Sequence, residues 1–313
     1  MKKDIKNFIN KMILGDCIEV LKKIPNDSVA GCLTDPPYNY EFIGKDWNIS
    51  EIERRIERTK KLSTTLIKNI PYGSGLSGGV RNENWYKKNR NNILEYQNWV
   101  KDWGSELYRI LKPGSYVLIF NSTRTVAHIQ VALEEVGFYA RDIIVWRRNS
   151  GIPKGLNIEK KLQKMGKDNF EEWKGWYSAL RNEWEAISVV QKPLDNNYIS
   201  TLEKYQVGLL KTKNNEFDSF QSNIIENIKR DTKNEYNSHV TVKPLELIEK
   251  LLGMIIPKID GNIIIDPFLG SGTTAVAATK LGVDWVGIDI NSEYLEIAKK
   301  RVHEEKNNFG KKN

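Results

Sequence analysis

The run Tyr116-Val117-Leu118-Ile119-Phe120 is apolar at every position. An amphipathic strand alternates; an unbroken apolar run reads as a strand covered on both faces. Val29-Ala30-Gly31-Cys32-Leu33, Ile263-Ile264-Ile265 and Trp285-Val286-Gly287-Ile288 are of the same kind. Between such runs lie segments with apolar residues at steps of three and four. Tyr96, Val100, Trp103, Leu107, Ile110 and Leu111 form one helical face, and Leu245, Ile248, Leu251, Leu252 and Ile255 form another after Pro244. Residues 125–136, stopped by Gly137, 273–281, stopped by Gly282, and about 292–303 read as further helices, with a frayed tail beyond. Met12-Ile13-Leu14 and Asp142–Trp146 add strands. Strand and helix in alternation predict an α/β chain with a doubly wound, mostly parallel sheet. The rhythm breaks from 149 to about 237, where Glu185–Val190 is the one clear strand, suited to pair with the strand ending at Trp146.

In such sheets ligands bind at the carboxyl ends of the strands. The first strand ends in Asp35-Pro36-Pro37-Tyr38. Two prolines remove two N–H donors and fix φ, so the loop offers a carboxylate and bare carbonyls beside an aromatic ring. A planar exocyclic amine fits that surface. Accepting both its hydrogens, at Asp35 and the Pro36 carbonyl, localises the nitrogen lone pair for attack, while Tyr38 holds the ring. Read alone, the tetrad is equally a Pro-rich turn capping a strand.

The strand at 263–265 ends in Asp266-Pro267-Phe268-Leu269-Gly270-Ser271-Gly272-Thr273-Thr274. Strand, Gly-x-Gly and helix make a nucleotide-type turn, and Asp289 closes the next strand 19 residues after Gly270, where an acid can hold a ribose diol. The third glycine of a dinucleotide turn and the Gly-Lys of a Walker loop are missing, so an adenosyl ligand without phosphates suits the turn better, with Phe268 to pack on it and Asp266 near its charged end.

The 313 residues carry a net charge of +8, with 40% hydrophobic residues. Ten Lys/Arg against Glu57 and Glu83 give +8 between Arg54 and Asn92, so the rest is balanced. This window, with Arg81, Lys87, Lys88 and Arg90 beside Tyr72, Trp85 and Tyr86, reads as a surface for a polyanion, though a solvated charged face has the same composition. Four glycines between Gly73 and Gly79 mark a loop that orders on binding. The two cysteines and three histidines are not spaced as metal ligands, so no metal is expected. No apolar run approaches a membrane span and no secretory leader is visible, which points to the cytoplasm.

Taken together, Asp35-Pro36-Pro37-Tyr38 and Asp266-Pro267-Phe268-x-Gly270-x-Gly272-Thr273-Thr274 resemble the S-adenosylmethionine-dependent DNA amino-methyltransferases. The tetrad preceding the glycine motif is similar to their circularly permuted β class; Gly15-Asp16-Cys17 and Thr241-Val242-Lys243-Pro244 resemble two further segments of that class. The resemblance implies a Rossmann-like methyltransferase fold in three parts. Residues 1–148 would be the catalytic half, carrying the basic insertion at about 54–92. Residues 149–238 would be a target-recognition region, and 239–313 the cofactor half. It implies S-adenosylmethionine as cofactor, held by Asp16, Cys17, Lys243, Asp266, Phe268, Gly270, Gly272, Thr273 and Asp289. Asp16 would meet the adenosine amine and Lys243 the pocket edge, or Lys243 would be a surface lysine capping the helix after Pro244. Double-stranded DNA is the implied partner, with the target base flipped out near Trp146, Arg147 and Arg148. A cognate restriction endonuclease fits, as do monomer and homodimer, in a prokaryotic or phage-infected cell. Aspartate opening the tetrad is similar to the adenine-N6 enzymes. Cytosine-N4 methylation is the alternative, and a catalytically inactive DNA-binding relic the alternative of another class.

Overall fold

A computed structural model of the chain describes residues 4–37, 83–148, 155–214, 219–228 and 242–310. They form strands β1 (Lys11–Leu14), β2 (Val29–Thr34), β3 (Leu111–Asn121), β4 (Tyr139–Arg147), β5 (Trp184–Gln191), β6 (Lys213–Asn214), β7 (Ser219–Phe220), β8 (Ile224–Ile225), β9 (Ile263–Asp266) and β10 (Asp284–Asp289). The α-helices are α1 (Cys17–Leu21), α2 (Glu83–Ile110), α3 (Val126–Val136), α4 (Ile158–Lys164), α5 (Tyr198–Tyr205), α6 (Leu245–Ile255), α7 (Thr273–Leu281) and α8 (Ser292–Gly310).

Eight strands make one sheet in the order β1-β10-β9-β2-β3-β5-β4-β8, and β6 and β7 form a separate ribbon. From β1 to β3 every neighbouring pair is parallel. β5 enters antiparallel to β3, with Asn121 opposite Ala186, and β4 lies on its other side. The insertion of β5 has a consequence for the site. Its first residues stand level with the last residues of β3, at the edge where the parallel strands end.

The unbroken apolar runs are the buried strands. All six residues of β2 and all four of β9 are buried. α6 packs on β2, β3 and α7, with Leu247, Ile248, Leu251, Leu252 and Ile255 buried. Val100, Trp103, Leu107 and Ile110 are fully buried on α2. Each such aliphatic side chain contributes about 1.5–3 kcal/mol over remaining in water.

Three boundaries differ from the sequence reading. α2 begins at Glu83, so residues 83–92 of the basic window are helical. The segment Lys112-Pro113-Gly114 does not separate helix from strand, because β3 already starts at Leu111 and crosses it with a register shift opposite Val29–Gly31. α8 runs to Gly310 rather than ending near His303.

The chain divides into two compact units, one of Met1–Tyr38, Gln97–Arg147 and Glu185–Asn313, the other of Asn39–Tyr96 and Arg148–Trp184. Residues 185–228, read in the sequence as part of the recognition region, thus belong to the sheet unit. In the second unit none of residues 155–184 is buried. α4 there is capped by Asn157, whose side chain accepts from Lys160 N at 2.9 Å, and Trp173 and Trp176 meet edge to face at 5.8 Å. A segment with no core has no helical or strand period to read.

Candidate active site

β2 and β9 are neighbours, with Gly31 opposite Ile264 and Cys32 opposite Ile265. Both therefore end at the same edge of the sheet, and their loops leave side by side. Thr34 Oγ1 donates to Asp266 Oδ1 at 2.7 Å, joining the two strand ends below the loops.

The turn after β9 is held from several sides. Asp266 Oδ1 also accepts from Phe268 N at 3.0 Å, and Leu269 N donates to Ile288 O of β10 at 2.8 Å. Gly270 N donates to Asp289 Oδ2 at 2.7 Å, and Asn291 N to Asp289 Oδ1 at 2.8 Å. Arg301 of α8, almost fully buried, donates to Ser271 O, Ser271 Oγ and Thr273 Oγ1 at 2.7, 3.0 and 3.1 Å. Both glycines have positive φ, for different reasons. At Gly272 (φ +85°) a Cβ would stand 2.5 Å from Ala298 Cβ, so α7 and α8 can approach only over a hydrogen. At Gly270 (φ +54°) a Cβ would meet nothing within 4 Å, so that peptide borders open space.

The open space is a cleft of about 800 Å³, its mouth included. Asp35, Lys243, Asp266, Phe268, Gly270 and Thr273 line it together with Thr34, Phe120, Ser271 and Tyr294. Phe268 leans on Trp99 and Trp103 of α2, with ring centroids 5.5 and 5.6 Å away. Lys243 Nζ donates to Asp35 Oδ2 at 2.6 Å, lies 3.3 Å from Glu185 Oε2 and sits 4.9 Å above the Phe120 ring.

The electrostatics follow from burial. Desolvation pushes the Asp266 carboxyl up to about 6 against the hydrogen bonds it accepts from Thr34, Thr274 and the Phe268 amide. Burial also raises Asp289, and the amides of Asn291, Gly270 and Ile290 oppose it. For Lys243 burial favours the neutral amine, but Asp35 and Glu185 outweigh it and hold the ammonium above its ordinary value.

The other sequence-named residues lie elsewhere. Pro36 and Pro37 follow Asp35, with Pro36 buried; Tyr38 and Arg81 are outside the described residues. Asp16 follows β1, whose Leu14 lies opposite Asp289, and its carboxylate caps α1 by accepting from the amides of Ile18 and Glu19. Cys17 is buried, its thiol pushed up to about 12 by burial and by Asp16, so it is no thiolate nucleophile. Neither lines the cleft. Lys87, Lys88 and Arg90 fall on α2. Arg147 ends β4 exposed, 2.9 Å from Glu226, and Arg148 donates its backbone N–H to Glu183 O. Trp146 is core, packed edge to face on Phe120 at 6.4 Å.

Sequence reasoning missed Thr34, Glu185, Trp99 and Arg301. Glu185 had a signal, an acid opening an otherwise apolar strand. The others looked like ordinary members of a strand end or a helix face.

The N6_N4_Mtase family model, described as DNA methylase, matches residues 29–300. Type II methyltransferase M.HindIII of Haemophilus influenzae is 30% identical over 307 residues, covering 94% of this chain and 95% of that protein. Type II methyltransferase M.HinfI of Haemophilus influenzae is 26% identical over 310 residues, covering 98% and 72%. Among solved structures, a DNA modification methylase of Thermus thermophilus, complexed with S-adenosyl-L-methionine, shares the fold at a TM-score of 0.53 and 20% identity, over 94% of this chain and 95% of that one. The M1.HpyAVI–SAM complex does so at 0.52 and 19%, over 93% and 98%. With a model match across most of its length and a full-length relative at 30% identity, the chain belongs to the N6/N4 DNA methylase family.

Proposed function

We propose that the protein transfers a methyl group from S-adenosylmethionine to the exocyclic N6 of adenine in double-stranded DNA. The observation that carries this reading is the shared cleft: Asp35 on one strand end and Phe268 and Gly270 on the next line a single cavity. Amine acceptor and cofactor turn need to be that close for a methyl to cross between them.

The residues at the turn fit an adenosyl ligand. Gly270 leaves its peptide open, Phe268 offers an apolar ring braced by two tryptophans, and Asp289 has its carboxylate oriented by two amides. Lys243 is the cation among the described lining residues and is engaged by two carboxylates, so the donor set suits a ligand without phosphates. When bound, S-adenosylmethionine supplies a methyl carbon made electrophilic by a positively charged sulfur.

The chain's own work is presentation. Asp35 and the Pro36 carbonyl accept the two amine hydrogens, localise the nitrogen lone pair and stabilise the positive charge that develops on nitrogen. Tyr38, next in the tetrad, stacks on the extruded base. Asp289 holds the ribose hydroxyls, with Asp16 beside it on the adenosine side. Positioning and fixed charge supply the rate, and no covalent intermediate with the enzyme is needed. The basic window and the region 149–238 serve DNA binding and target choice, and a cognate restriction endonuclease is the expected companion.

Labelled methyl transfer to unmethylated DNA, followed by digestion to nucleosides, tests the reading. N6-methyladenine is the expected product. N4-methylcytosine would overturn the choice of base, and no incorporation would overturn the activity.

A further inference from the structure

Between the cleft and β5 lies a chain of three charged side chains that the transfer chemistry above does not use. β5 runs against its parallel neighbours, so its first residues arrive at the edge where β2 and β9 end, and Glu185 comes in with them. Lys243, just ahead of α6, is 11% exposed and bridges Glu185 at 3.3 Å and Asp35 at 2.6 Å. The Phe120 ring under Nζ, itself braced by Trp146, leaves the ammonium an aromatic face on that side. These three come from segments 58 and 150 residues apart or more, and a buried lysine between two carboxylates is costly unless both contacts are kept.

We infer that Glu185 and Lys243 are positioning residues for the transfer reaction: Lys243 holds the Asp35 carboxylate in one orientation and ionised, and Glu185 anchors Lys243. The inference rests on Asp35 being the amine acceptor proposed above. Lys243 takes Oδ2, which fixes the plane of the carboxylate and hence the direction in which it accepts. Asp266, also facing Asp35, is a negative neighbour that would favour its protonation, and the ammonium opposes that. Among the described residues these are the charged groups around the pair.

The test is single-turnover methyl transfer at saturating cofactor and DNA across the pH range, with the cofactor Kd measured separately, on the full chain. Lys243→Met should lower the rate about a hundredfold near neutral pH while the Kd stays within about threefold. Removing the cation also makes the neighbouring carboxylate easier to protonate, so the acidic limb of the rate should move to higher pH. Lys243→Arg, keeping the charge, should recover much of the rate. Glu185→Gln removes a negative charge instead, so its acidic limb should move to lower pH, with a smaller loss of rate. A rate lost equally at every pH would make the lysine merely structural. A raised Kd with an unchanged saturated rate would make it a cofactor ligand, and either result overturns the proposal. If Lys243→Met does not fold, Glu185→Gln decides, since an unchanged rate and profile there contradict the anchor. Wild-type protein that transfers no methyl would instead sink the functional reading itself.

Discussion

Thr34 Oγ1 and Asp266 Oδ1 are 2.7 Å apart, in a buried hydrogen bond between residues 232 positions distant in the chain. Thr34 immediately precedes the proposed acceptor and Asp266 opens the glycine turn. The two halves of the reaction are thus tied at their roots, and the spacing of their loops does not depend on the loops themselves. A buried carboxylate is costly to keep, and Thr34, Thr274 and the Phe268 amide offset only part of that cost.

Asp266 therefore gives the fold a pH signature. Its folded pKa of about 6 lies above the ordinary 3.8, so the folded chain binds the proton more tightly. The resulting stability is full below about pH 4 and is lost as pH rises through about 6. Asp266→Asn keeps the shape without the titration. Between those limits the wild type should lose about 3 kcal/mol relative to the variant, read by urea unfolding at each pH. Parallel profiles would contradict the buried-carboxylate account.

The glycine turn separates packing from ligand access. Gly272→Ala drives a methyl into Ala298 at a left-handed φ and should cost roughly 2–5 kcal/mol of stability. Gly270→Ala meets open space and should cost about 1–2 kcal/mol, but it should weaken cofactor binding more than its stability loss suggests. Thermal unfolding and isothermal titration with S-adenosylmethionine, run on both variants, distinguish the two roles.

Asp289 is held by the amides of Gly270 and Asn291 with its carboxylate at the back of the turn. Asp289→Ala should raise the cofactor Kd by one to two orders of magnitude, about 1.4–2.8 kcal/mol, and leave the rate at saturating cofactor much closer to wild type. A lowered saturated rate with unchanged Kd would move Asp289 out of the cofactor site.

Arg81, Lys87, Lys88 and Arg90 carry much of the charge of the basic window. Neutralising all four should make the plot of log K against log salt for DNA binding shallower by about 3–4, since each phosphate contact contributes roughly 0.9. An unchanged slope would make the window a solvated face.

Much of this architecture is written locally. The apolar runs at 116–120 and 263–265 need burial on both faces, and the spacing from Leu245 to Ile255 admits one helical face, so sheet and helices follow from the sequence. The glycine turn is likewise local, since Gly270, Gly272 and Asp289 carry their roles within 19 residues. Lys243 shows where such reading stops. Its partner Asp35 is 208 residues away, and Glu185 reaches it only because β5 turns antiparallel, which no local pattern announces. Helix α2 shows a different limit. Its first turns, from Glu83, are polar and basic, so periodicity dates the helix only from where its face becomes apolar.

The central claim is that amine and methyl meet in one cleft, with Asp35 acting on the amine alone. Asp35→Ala tests it most directly, by single-turnover transfer to unmethylated DNA and cofactor binding measured on the same preparation. The account predicts that transfer is abolished while the Kd for S-adenosylmethionine stays near that of the wild type. Transfer that survives the substitution, or an equal loss of transfer and cofactor binding, would contradict it.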